Sequence, residues 1–93
     1  MGINETIKAI SDPVRRNILE MLRSSKMSAG DIAKEFSLTG ATVSYHLSQL
    51  RKADLIVLEK EKNYIYYSLN LSVFEEVLTW IYGLKRGKNS YEK

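Results

Sequence analysis

Residues 28–58 read SAGDIAKEFSLTGATVSYHLSQLRKADLIVL, and this stretch decides the fold. Ser28, followed three residues on by Asp31, has the form of a capping box with Asp in place of the usual Glu. It opens a helix whose apolar residues are Ile32, Ala33 and Phe36. Ser37-Leu38 leaves room only for a tight connection. Thr39 then caps a second helix with Val43, Leu47 and Leu50 on one face, at i, i+4 and i+7. That helix is expected to stop near Ala53-Asp54, where the chain turns into the strand-like run Leu55 to Leu58.

Working outward toward the N-terminus, Asp12-Pro13 supplies an N-cap and a proline at the first helical position. The spacing predicts a helix from Pro13 to about Ser24 with Val14, Ile18, Leu19 and Leu22 inward. Before it, Ile3, Ile7 and Ile10 mark a short first helix over Met1 to Ile10. Toward the C-terminus, Leu55–Glu61 and Asn63–Asn70 are β-branched and aromatic runs flanking Glu61-Lys62-Asn63, with Asn63 the residue expected to take a positive φ at the hairpin tip. Tyr64, Tyr66 and Ser68 alternate against Ile65, Tyr67 and Leu69, as a two-faced ribbon requires. Asn70 or Ser72 caps a last helix to about Leu84, and Arg86 to Lys93 reads as a frayed tail. The order is α-α-α-α-β-β-α, mainly α with a β-hairpin: a winged helix-turn-helix, in one domain over residues 1–93 with helices for dimerisation at both ends.

Composition removes whole classes of chemistry. The 93 residues include no cysteine, which excludes disulfides, thiolate metal sites and cysteine nucleophiles. With 44% hydrophobic and 27% charged residues the chain is globular in composition. No apolar run approaches the roughly 18–20 residues of a membrane span and no signal peptide opens the chain, so no membrane insertion and a cytoplasmic location are expected. The net charge of +3 permits a nucleic-acid partner without requiring one. An enzyme fails on inventory: one His, no Gly-rich phosphate loop, no Ser beside a base–acid pair. Glu75 and Glu76 are adjacent on a helix and point in different directions.

The second helix of the pair carries the functional signal. Setting aside Val43, Leu47 and Leu50 leaves Gly40, Ala41, Thr42, Ser44, Tyr45, Ser48 and Gln49, small or polar and none acidic. Thr and Ser lower helix propensity, and no Glu–Lys pair compensates. Such a face suits a DNA major groove: small residues allow close approach, hydroxyls and amides meet base edges, and methyls meet thymine. Around it, Arg15, Arg16, Lys34, Arg51 and Lys52 are candidates for phosphate contacts; the plain alternative is solubilising surface charge. The last helix is apolar on two adjacent rows, Val73, Val77, Trp80 and Leu84 beside Phe74, Leu78 and Ile81. With Ile3 and Ile7 the surplus reads as a subunit interface, against the alternative of one wide core face.

The stretches ISDPVRRNILEML, SAGDIAKEFSLTGATVSYHLSQLRKADLI and YIYYSLN resemble the ArsR/SmtB family of bacterial winged helix-turn-helix repressors over nearly the whole chain. The short length and the Trp80-containing last helix are most similar to its autorepressor branch. The resemblance implies a homodimer built from the first and last helices, an imperfect inverted-repeat operator in double-stranded DNA, and control of the protein's own operon. Thr42, Ser44 and Tyr45 match base-reading positions, with Gly40 and Ala41 at the start of the helix, and the hairpin matches the wing that lies along flanking DNA. The branch implies relief by a protein partner that sequesters the repressor; autoregulation without any ligand is the other reading.

Departures from the family pattern matter too. The wing tip is Glu59-Lys60-Glu61-Lys62-Asn63 rather than Gly-rich and basic, which leaves Lys60 or Lys62 as its phosphate contacts. Asp54 stands where the family often has Gly in a left-handed conformation. Metal-sensing relatives carry Cys where this chain has Ser28 and Gly30, or His and carboxylates on the last helix, which here offers only Glu75 and Glu76. The single His46 cannot build a soft-metal site, so metal independence and no cofactor are expected. His46 itself is either a phosphate contact or a partly buried structural residue, the second being preferred. A protein-interaction module on the same scaffold is the competing function, although Tyr64, Tyr66 and Tyr67 are more in keeping with sheet packing.

Overall fold

A computed structural model describes residues 2–91, with side chains through Arg86. The elements are α1 (Ile3–Ile10), α2 (Pro13–Leu22), α3 (Ala29–Phe36), α4 (Gly40–Lys52), β1 (Ile56–Glu61), β2 (Tyr64–Leu69) and α5 (Leu71–Tyr91). This is the winged helix-turn-helix order, α3 and α4 forming the helix pair and β1–β2 the wing.

Local chemistry sets the boundaries. The Asp12 carboxylate accepts from the amides of Val14 (2.7 Å) and Arg15 (3.2 Å) at the start of α2. Ser28 Oγ accepts from the Asp31 amide at 3.1 Å, and Thr39 Oγ1 from the Thr42 amide at 3.2 Å. Ser37 (φ 55°) reverses the chain between α3 and α4, and Asp54 (φ 59°) between α4 and the wing, the left-handed conformation expected there. β1 and β2 pair antiparallel from Ile56↔Leu69 to Glu61↔Tyr64, leaving Lys62-Asn63 as a two-residue loop.

Three local expectations need correction, at the hairpin tip, at Asn70 and at the end of α5. The left-handed residue of the hairpin is Lys62 (φ 54°), not Asn63, because the strand twist demands a positive φ at the first position of this loop. Asn70 does not cap α5 with its side chain. Its Nδ2 donates to the Asp54 carbonyl at 3.0 Å and clasps the start of the last helix to the end of α4. On α1, Thr6 and Ala9 are the buried residues, while Ile3 and Ile10 are half-buried and Ile7 is exposed. Small inward side chains let α1 lie close to its neighbours and turn the isoleucines outward. Finally, α5 continues to Tyr91, well past Leu84; of the tail expected to fray, residues 92 and 93 lie outside the described residues, as does Met1.

One core cluster holds the helices and wing together: Ile18 and Leu22 from α2, Ile32 from α3, Val43, Leu47 and Leu50 from α4, and Leu55 and Ile56 at the wing's root. Met27 adds a second backbone pairing at the wing's edge, exchanging both of its hydrogen bonds with Tyr67 (3.1 and 2.8 Å). Only the start of α5 joins this core. The molecule measures 57 × 25 × 22 Å with a radius of gyration of 15.6 Å, against about 12 Å for a compact chain of this length. The excess is the projecting α5, on which Leu78, Trp80, Ile81 and Leu84 are exposed. Among the described residues, no helix is long and apolar enough to cross a membrane.

Candidate nucleic-acid interface

The core stripe of α4 fixes what the helix shows to solvent. With Val43, Leu47 and Leu50 buried, Gly40, Ala41, Thr42, Ser44, Tyr45, Ser48, Arg51 and Lys52 are exposed. Tyr45 is 56% exposed, with its ring edge-on to His46 at 5.4 Å. No atom lies within 4 Å of the point where a Cβ on Gly40 would stand, so the first turn is open to close approach. Its first turn holds no acidic residue, and its last turn carries Arg51 and Lys52. The unpaired amides at the helix start and the basic residues along it give the face a positive bias from end to end. Thr42 Oγ1 accepts from Thr39 Oγ1 at 2.9 Å and keeps its own proton to donate.

A groove of about 340 Å³ runs between α4 and the wing, lined by Ser44, Leu47, Ser48, Arg51, Lys52 and Tyr67. The strand register decides which wing residues share it. Tyr67 lies opposite Leu58, and Ile65 opposite Lys60, so Lys60 lies on the face of the ribbon that carries Tyr67 toward α4. Glu59 and Glu61 lie opposite Tyr66 and Tyr64, on the reverse face. There Lys26, in the loop before α3, pairs with both carboxylates, at 3.4 Å to Glu59 and closer to Glu61, and its ammonium stands 5.3 Å from the Tyr66 ring centre. Ser68 Oγ donates to Glu59 at 3.1 Å. The hydrogen bond to Glu61, opposed by slight desolvation and reinforced by Glu59, raises the pKa of Lys26 above its ordinary 10.5. The two carboxylates that make the wing tip look unsuited to phosphate are therefore turned away from α4, and Lys26 offsets part of their charge.

The structure separates the remaining candidates. Arg15 is corrected from a phosphate contact to a buried residue, 8% exposed and spent on hydrogen bonds inside the fold. His46, also 8% exposed, accepts one of those bonds, which corrects its placement among the backbone contacts in favour of the structural reading. Arg16 is exposed, but it donates to the Ile10 carbonyl at 2.7 Å and lines a different groove, with Leu69, Leu71 and Phe74. Gln49 is half-buried beside Glu5, Lys8 and Ala9 of α1, at the margin of the α4 face. Lys34, Lys60 and Lys62 are exposed. Val73 is corrected from an interface residue to a core residue, 7% exposed, because it lies one turn into α5, where the helix still touches the body. Val77 is half-buried against the same core. Sequence reasoning missed Lys26 altogether: an isolated lysine in a loop carries no periodicity, and its partners lie 33 and 35 residues away.

Metal chemistry was tested by the donor set. Among the described residues, no group of three or more His, Asp or Glu side chains converges where it could hold an ion. The caps, the acid-free α4 face and the adjoining wing define the class, a winged helix-turn-helix DNA-binding domain. A helix-turn-helix domain family matches residues 10–59. The chain is 40% identical over 88 residues to the transcriptional repressor SdpR of Bacillus subtilis (strain 168), covering 94% of this chain and 98% of that one. An ArsR-like transcriptional regulator from Rhodococcus sp. RHA1 superposes with a TM-score of 0.87 at 19% identity over 95% of this chain and 83% of that one. A possible ArsR-family regulator from Mycobacterium bovis, solved as a homodimeric winged helix-turn-helix DNA-binding domain, superposes with a TM-score of 0.74 at 20% identity, covering 90% and 79%. The chain belongs to the ArsR/SmtB family of winged helix-turn-helix transcriptional repressors. Proteins of this family are DNA-binding regulators and not enzymes.

Proposed function

We propose that the chain acts as a homodimer that places α4 of each protomer in successive major grooves of an inverted-repeat operator, and that its own operon is among its targets. The observation that carries this reading is the α4 face: Tyr45 stands exposed among small and hydroxyl side chains, with the Arg51–Lys52 groove alongside. Gly40, Ala41, Thr42, Ser44 and Tyr45 are the base-reading set, with Gln49 at its edge. Arg51, Lys52 and Lys60 hold phosphates of the same stretch of DNA, and Lys34 and Lys62 hold flanking ones. Arg51 and Lys52 share one groove with Ser44 and Ser48, and Lys60 has the ribbon face turned to α4.

Dimerisation is supported by the exposed apolar side chains of α5, Trp80, Ile81 and Leu84, together with Ile7 on α1. A monomer gains nothing by presenting that much contiguous apolar surface to water, and a two-fold axis would place two α4 helices about 34 Å apart. Regulation of chromosomal DNA places the protein in the cytoplasm. Metal independence follows from the absence of cysteine and from the engagement of the sole histidine with Arg15.

Two substitutions test the division of labour. Tyr45→Ala is expected to lower affinity for the preferred sequence by about 1–3 kcal/mol while leaving random DNA nearly unaffected. Arg51→Ala is expected to weaken both alike and to reduce the salt slope by about one. Equal loss on both DNAs for Tyr45→Ala would remove that residue from the reading set.

A further inference from the structure

Among the described residues, the most deeply placed charge is not on the exposed face of α4. The Arg15 guanidinium makes three hydrogen bonds at once. Its Nε donates to the Ala9 carbonyl (2.7 Å), one Nη to the Lys8 carbonyl (3.3 Å) and the other Nη to Nδ1 of His46 (3.2 Å). Lys8 and Ala9 belong to the last turn of α1, at the negative end of its dipole; the Lys8 carbonyl also accepts from the amide (3.3 Å) and Oγ (2.7 Å) of Ser11, whereas the residue four on from Ala9 is Pro13, which has no N–H to offer its carbonyl. Among the described residues, no carboxylate lies within ion-pair distance of Arg15. The charge is compensated by a helix end, an imidazole lone pair and, at longer range, the Asp12 carboxylate. Arginine has donors only, so Nδ1 of His46 is the acceptor and the ring proton sits on Nε2.

His46 lies between Tyr45 and Leu47 on α4. One side chain on α2 is thereby tied to the end of α1 and to the middle of the reading helix. Apolar packing by Val43, Leu47 and Leu50 sets which face of α4 turns outward, but the hydrophobic effect is non-directional and a small rotation of the helix about its own axis is left for directed contacts to fix. At the 5–6 Å outer radius of a helix, a rotation of about 20° moves a side-chain tip by about 2 Å, enough to break a base contact. A directed hydrogen bond from a braced guanidinium is the kind of restraint that packing does not supply. A buried charge is also a costly way to gain stability alone, since apolar residues of similar volume often serve as well.

We infer that Arg15 and His46 are positioning residues for DNA reading. They fix the rotation of α4 relative to α1, so that Ser44 and Tyr45 present a set geometry to the bases. The inference rests on the base-reading role proposed above for α4. Because α1 carries the exposed Ile7 toward the second copy, the same tie also relates each reading helix to the dimer's two-fold axis.

The test compares Arg15→Met, His46→Leu, the double variant and His46→Asn, with thermal stability and binding to the chain's own upstream DNA against scrambled DNA measured for each. Either single variant strands a buried polar partner and is expected to lose both stability and discrimination. In the double variant neither side of the Arg15–His46 contact is left stranded, although the Ala9 carbonyl loses its donor, so stability is expected to recover in part while discrimination stays at least about tenfold below wild type. His46→Asn restores an acceptor near the position of Nδ1 and is expected to restore discrimination. Discrimination that recovers in step with stability in the double variant, or an Asn variant no better than the Leu variant, would overturn the inference and leave the pair a fold-stabilising contact. Should the double variant fail to fold, the Asn–Leu comparison decides alone. A wild-type protein with no preference for its upstream DNA would overturn the base-reading role and this inference with it. A wild-type preference that all four variants share would overturn this inference only.

Discussion

Asp12 illustrates how much one residue fixes in a chain this short. Its carboxylate caps α2, and burial alone would raise its pKa. The amide hydrogen bonds from Arg15 and Val14, with the charge of the Arg15 guanidinium nearby, outweigh that and hold it below the ordinary 3.8. A carboxylate with a lowered folded-state pKa contributes stability that is present above the unfolded value and lost as pH falls through the folded one. Asp12→Ala is therefore expected to cost about 1 kcal/mol at neutral pH in urea denaturation, with the gap to wild type narrowing below pH 3.8. A gap independent of pH would show that the charge on Asp12 plays no part. Lys26 gives the second prediction at this scale. Lys26→Ala frees Glu59 and Glu61 beside the wing. It should weaken binding to every DNA sequence alike, with a loss that shrinks as salt is raised. Unchanged binding would mean that the wing carboxylates never face phosphate. The caps Asp12, Ser28 and Thr39 were legible in the sequence, because capping is a contact between near neighbours. The roles of Lys26, Arg15 and His46 were not, because each depends on a partner at least 31 residues away that no periodicity announces.

At the scale of elements, the readings that succeeded rest on strong periodic or chemical signals: the Val43–Leu47–Leu50 stripe, the proline at the start of α2, and the alternation of β2. The ones that needed correction sit where tertiary contacts compete with a local preference. Asn70 is a good cap in isolation, yet it reaches the Asp54 carbonyl instead. The two apolar rows of α5 run past the end of the core, but its first turn belongs to the core, as Val73 shows. Trp80 carries the prediction for this element. It is 44% exposed on a helix that projects from the body. Trp80→Ala is expected to weaken self-association by about 2 kcal/mol, roughly thirtyfold, and DNA binding with it, by analytical ultracentrifugation and DNA titration on the same samples. A variant that stays dimeric with unchanged affinity would move the interface elsewhere.

At the scale of the whole molecule, shape and charge point the same way. A body of about 25 Å by 22 Å carries the reading helix and wing, and a long helix departs from it with its apolar side chains uncovered. In the proposed homodimer, two such bodies joined through their projecting helices would make an extended, two-fold object whose net charge doubles the +3 of one chain. The central claim is that this object prefers one DNA sequence. It is tested most directly by a fluorescence-anisotropy titration of the protein against its own upstream DNA and scrambled DNA of equal length, at two salt concentrations, with and without zinc. The account predicts tight binding to the upstream DNA, a clear preference over the scrambled sequence, weakening of both with salt, and no response to zinc. Weak binding that is equal for both DNAs would contradict it.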